Sequence, residues 1–96
     1  MSPLKRKKLS KIRFELDKLD NSLIEIIKKR TNLVKKVLKL KDKKNQIVDQ
    51  KRIKTILINI KKKSLKNNID PKITNRIWKN MIWSYIDFER RNFKKK

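Results

Sequence analysis

Arg30 sits where an apolar residue is due. Leu9, Ile12, Leu16, Leu19, Leu23, Ile26, Leu33, Val37 and Leu40 recur at spacings of three and four, the seam of a heptad pattern, and Arg30 fills the seam position between Ile26 and Leu33. An arginine on an inward face needs a counter-charge. Two kinds fit: a structural carboxylate, from Glu25 or from a neighbouring chain, or an anion bound in an internal cavity. Lys41 follows Arg30 by eleven residues, which on a helix is three turns, ~16 Å along the axis and ~20° off the same line. Val34 and Val37 lie between them. Two cations on one inward stripe, separated by apolar residues, suit a ligand with separated anionic groups. Glu89 ends a second stripe, after Trp78, Ile82 and Tyr85 at i, i+4 and i+7. It reads either as a rim carboxylate paired with Arg90 or a lysine, or as an acid in a partly dry pocket. Arg13 lies ~25 Å before Arg30 and on another face of a straight helix. It reaches the same site only if two copies of that helix cross antiparallel near Asn21–Ser22, which places Arg13 of one chain opposite Arg30 of the other.

Composition excludes much of the remaining chemistry. The 96 residues include no His, Cys or Gly. An imidazole base, a thiolate nucleophile, a His- or Cys-ligated metal, a P-loop and a glycine-rich dinucleotide loop are therefore all ruled out. No cofactor or metal is expected. No apolar run approaches the roughly 18 residues that span a membrane, and no apolar stretch follows the basic start as in a secretory leader, so a cytoplasmic protein is expected. The net charge of +22 points first to a polyanion partner such as nucleic acid. Biased residue usage, rich in Lys, Ile and Asn and lacking Ala, accounts for it equally well.

Three helices must position these residues. The heptad pattern predicts a first helix from about Leu4 to Lys44, ended by the polar stretch Asp42–Gln46. Such a helix is ~60 Å long. A compact 100-residue domain has a radius of gyration of only ~13 Å, so the rest of the chain cannot cover the seam and a second copy is expected to. Asp49 is the expected N-cap of a second helix, with Ile53, Ile56, Leu57, Ile60 and Leu65 on its apolar face and LKNN at its end. Asp70-Pro71 supplies an N-cap and a first-turn proline for a third helix, which carries Ile73, Ile77, Trp78, Met81, Ile82, Tyr85 and Phe88. The fold class expected is all-α: a three-helix protomer with one very long first helix, in an intertwined homodimer. A single domain over 1–96 is expected, with its core at about 9–93 and basic ends, including RRNFKKK, that fray.

The order RFELDKLDNSLIEIIKKRTNLVKKVLKLK, IVDQKRIKTIL and IDPKITNRIWKNMIWSYIDFE resembles the chorismate mutases of the all-helical AroQ class. That pattern runs Arg13, Asp20, Arg30 and Lys41, then Asp49-x-x-Arg52, then Trp78 with Glu89 eleven residues on. The resemblance implies an intertwined homodimer with two sites built from both chains, and the Claisen rearrangement of chorismate to prephenate in the shikimate branch to phenylalanine and tyrosine. This unimolecular isomerisation needs no nucleophile, metal or cofactor, only a held conformer and stabilised charge on the breaking ether. By the same resemblance, Arg30 and the neighbouring chain's Arg13 clamp the substrate's two carboxylates. Lys41 donates to the ether oxygen. Glu89 hydrogen-bonds that oxygen, which requires its protonated form. Asp49 accepts from the ring hydroxyl or orients Lys41, and Arg52 supports the carboxylate side.

Two positions depart from the pattern. Ile53 replaces the acid that follows the Asp-x-x-Arg arginine, which removes a usual contact to the ring hydroxyl. Tyr85, with Ser84 adjacent, occupies the place of a small hydroxyl residue near the end of the last helix. The alternatives are an isochorismate-pyruvate lyase of the same fold and a basic helical nucleic-acid-binding module. The second has no helix-turn-helix or RNA-stacking motif behind it and gives Arg30 no reason to interrupt the seam.

Overall fold

A computed structural model describes residues 1–94. The chain is all-α: α1 spans Pro3–Leu40, a short 3-10 turn Lys44–Gln46, α2 spans Gln50–Lys66 and α3 spans Pro71–Asn92. Its contacts divide it into residues 1–33 and residues 34–96.

Residues 1–33 are helical from Pro3 onward. The start is set locally, since the Ser2 hydroxyl accepts from the Lys5 amide at 3.3 Å and Pro3 takes the first-turn position where no amide is needed. The helix thus begins one residue before the expected start at about Leu4. The seam leaves apolar surface in solvent: Leu16, Leu19, Leu23, Ile26 and Leu33 are each 52–61% exposed. Phe14, off this seam, lies under the ammonium of Lys18 at 4.7 Å.

In residues 34–96, α1 stops at Leu40, four residues short of the expected Lys44. The Lys41 amide turns back to the Leu38 carbonyl at 3.1 Å, and the amides of Asp42 and Lys43 go to the Gln46 side chain instead of to helix carbonyls. The N-cap residues act as their chemistry dictates. Asp49 Oδ1 accepts from the Arg52 amide at 3.0 Å, and Asp70 Oδ1 accepts from the Lys72 amide at 2.9 Å. α3 then continues through Asn92, so Arg90–Asn92 are helical. Lys95 and Lys96 of the expected frayed tail lie outside the described residues.

The α2–α3 corner is built without glycine. Asn68 takes the left-handed conformation at φ 56°. The Ile69 amide reaches the Ser64 carbonyl at 2.8 Å and the Asn68 amide reaches the Leu65 carbonyl at 3.3 Å. These are the paired bonds of a Schellman motif. Asparagine is the side chain that tolerates this conformation best after glycine. Under the same corner Ser64, 2% exposed, shares a 2.6 Å hydroxyl contact with Thr74 and donates to the Ile60 carbonyl. An Asn68→Val substitution places a β-branched side chain at positive φ. It should cost about 1–2 kcal/mol of stability, measured by urea denaturation, while Asn68→Gly should leave stability level or raised.

α2 packs against α3. Ile86 on α3 and Ile47, after the 3-10 turn, are the buried hydrophobic residues among the described residues, at 5% and 3% exposed. Ile73 and Ile77 remain over half exposed on α3.

Candidate active site

Local chemistry sets each wall of the site in residues 34–96. The end of α1 delivers Lys41, the Asp49 cap starts α2, and α3 carries Tyr85 and Glu89 one turn apart on its inward stripe. Trp78, Ile82 and Tyr85 of that stripe are half-buried. Their apolar packing holds α3 in a rotation that turns Glu89 inward. Glu89 is 5% exposed, so it is a buried acid and not the rim carboxylate that its place at the end of the stripe also allowed.

The counter-charge for Glu89 is Lys41. The Lys41 ammonium lies 3.0 Å from Glu89 Oε1 and 3.3 Å from Oε2, with side-chain exposures of 18% and 7%. A third acceptor, the Ile47 carbonyl, lies at 3.4 Å. The three N–H groups of the ammonium therefore meet three protein acceptors. Burial of a carboxylate with one lysine is costly unless the pair stays together. The site thus holds one cation and one acid in a partly desolvated place where each is fixed by the other. A ligand oxygen entering between them meets a strong donor on one side and a carboxyl on the other.

Asp49 and Arg52 are exposed at the start of α2, with one Asp49 carboxylate oxygen already committed to the helix cap. Lys41 takes its orientation from Glu89 and the Ile47 carbonyl. Tyr85 is half-buried, whereas the Ser84 hydroxyl turns back to the Asn80 carbonyl at 2.7 Å on the exposed side of α3. Of the two, Tyr85 shares the face of Glu89. Arg13 and Arg30 lie in residues 1–33, both exposed. The structure thus brings Lys41 and Glu89 into contact within one unit. Sequence reasoning missed the Ile47 carbonyl and the Gln46 side chain that shapes the turn before it. A backbone acceptor has no residue-type signal, and one glutamine in a polar stretch carries little.

The sequence profile of the family described as chorismate mutase type II matches residues 12–90, most of the chain. Comparisons with curated proteins and with solved structures gave no match.

Proposed function

We propose, for a chain that belongs to the chorismate mutase type II family, that catalysis takes place at sites shared between two copies. The family makes this chain a chorismate mutase, an intramolecular isomerase acting on chorismate to give prephenate. The observation that carries the site assignment is the Lys41–Glu89 pair, a half-buried cation and a buried acid 3.0 Å apart. The reaction breaks an ether and develops negative charge on its oxygen. Lys41 donates to that oxygen and stabilises the charge as it grows. Glu89, once protonated, donates to the same oxygen from the other side. The pair seen in the free protein opens to admit the ether, so Glu89 exchanges a salt bridge for a hydrogen bond to substrate.

Arg30 and the Arg13 of a second copy hold the two carboxylates by paired N–H donors, which fixes the folded conformer in which the new carbon–carbon bond forms. The support for a second copy is the apolar surface on α1 and the exposed Ile73 and Ile77, which one chain leaves in water. Asp49, Arg52 and Tyr85 line the approach and contact the ring hydroxyl and carboxylate side. Ile53, half-buried on α2, offers no polar contact to the ring, so recognition of the hydroxyl falls to Asp49.

Purified protein mixed with chorismate should remove the near-UV absorbance of the substrate and yield prephenate. Release of pyruvate from isochorismate in its place would move the assignment to a lyase. No turnover of either substrate, with oligonucleotide binding that falls steeply with salt, would overturn the enzyme reading in favour of nucleic-acid binding.

Glu89→Gln keeps a hydrogen-bond donor beside Lys41 and should retain turnover, whereas Glu89→Leu removes the donor and should lower kcat. Equal loss of prephenate formation in both variants would contradict a donor role for Glu89.

A further inference from the structure

We propose that Gln46 is a positioning residue for Lys41, acting through the turn that carries the Ile47 carbonyl. This rests on the reading of Lys41 as the donor to the ether oxygen. Among the acceptors of the Lys41 ammonium, Glu89 is the one a substrate displaces, while the Ile47 carbonyl at 3.4 Å is uncharged and stays in place. Its direction depends on the backbone between Lys41 and Ile47. One side chain closes that backbone: Gln46 Oε1 accepts from the Asp42 amide at 2.7 Å and from the Lys43 amide at 2.9 Å. In a continuing helix those two amides would bond to carbonyls one turn back. By capturing both, the Gln46 oxygen ends α1 at Leu40 and turns the chain.

The turn is then locked by backbone bonds. The Gln46 amide donates to the Lys43 carbonyl at 3.0 Å and the Ile47 amide donates to the Lys44 carbonyl at 3.2 Å. Ile47, 3% exposed, anchors the far end in the apolar core. Gln46 itself is exposed and its side chain contributes no core packing, so its effect passes through the turn. With the turn closed, Lys41 is held from two directions: by Glu89 on α3 and by the backbone of its own loop. When the ether oxygen takes the place of Glu89, the second hold keeps the ammonium aimed.

Two substitutions separate acceptor chemistry from bulk. Gln46→Met keeps the length of the side chain and removes the oxygen. Gln46→Glu keeps an acceptor oxygen. Gln46→Met should lower kcat about tenfold with KM within about twofold of wild type, because the charge stabilised by Lys41 develops in the transition state. Gln46→Glu should stay within about twofold in both. Equal losses in the two variants, or an unchanged kcat in Gln46→Met, would overturn the proposal.

A readout independent of turnover keeps this apart from the functional reading. In protein labelled with ¹⁵N-lysine, the Lys41 ammonium signal, assigned by its loss in Lys41→Met, should be sharp in wild type and Gln46→Glu. Faster exchange should broaden it in Gln46→Met. An unchanged signal in Gln46→Met would overturn the positioning role even in an active enzyme. A wild type without turnover, with the signal responding as expected, would sink the functional reading alone.

Discussion

Arg30→Ala should remove turnover and leave the fold intact. Arg30 is exposed on α1 in the single chain, and exposed substitutions away from caps and cores change stability by less than about 0.5 kcal/mol. Its proposed role is a pair of charge-assisted hydrogen bonds to one substrate carboxylate. At about 1.5–3 kcal/mol each, losing both lowers kcat/KM by about 10²–10⁴-fold. Thermal melts and gel filtration should match wild type, and prephenate formation should fall by that factor. An active Arg30→Ala variant would remove this residue from the site. Loss of activity accompanied by loss of fold would instead return Arg30 to a structural ion pair.

The second large effect is at Lys41. Lys41→Met removes the only cation paired with Glu89 among the described residues. Two consequences follow, and they are separable. Catalysis loses the donor to the developing oxyanion, about 10²–10³-fold in kcat by comparison with other preorganised donors. Stability falls by on the order of 3 kcal/mol, because a buried carboxylate is left without a partner. Adding Glu89→Gln to Lys41→Met removes the orphan charge, so the double variant should regain much of the stability while turnover stays low. Recovery of turnover with stability would show that Lys41 serves the fold alone.

These contrasts also mark what the sequence makes legible. The starts of α2 and α3 follow from Asp49 and from Asp70-Pro71, because a cap is satisfied within three residues and leaves its signature there. The end of α1 does not follow in that way. Lys41–Lys44 are compatible with helix, and what stops the helix is a side chain further on, Gln46, together with the pull of Ile47 and Glu89 on Lys41. The pairing of Lys41 with Glu89, 48 positions apart, is tertiary. The stripe of Trp78, Ile82 and Tyr85 indicates which way Glu89 faces, but its partner emerges only when α3 and the end of α1 meet. The seam on α1 is legible as an apolar face, and the structure shows that face uncovered in one chain. In the proposed assembly a second copy covers it, and such intermolecular contacts leave no mark in local propensity beyond the apolar pattern itself. The +22 charge misleads for a related reason. Most cations lie on solvated faces, where screening makes each weak, while the cations assigned to chemistry are singled out by spacing.

Catalysis of the chorismate rearrangement at sites shared by two copies can be tested by subunit mixing. Arg13→Ala and Arg30→Ala chains are each expected to be inactive alone, since every site in either homodimer lacks one carboxylate clamp. A heterodimer has one site missing both arginines and one site with both. Mixing equal amounts under conditions where exchange is proven by mass-tagged subunits should therefore restore activity, to about a quarter of the wild-type rate per chain if chains pair at random. Recovery of prephenate formation at that level is the predicted result. Proven exchange without recovery would contradict a site built from both chains.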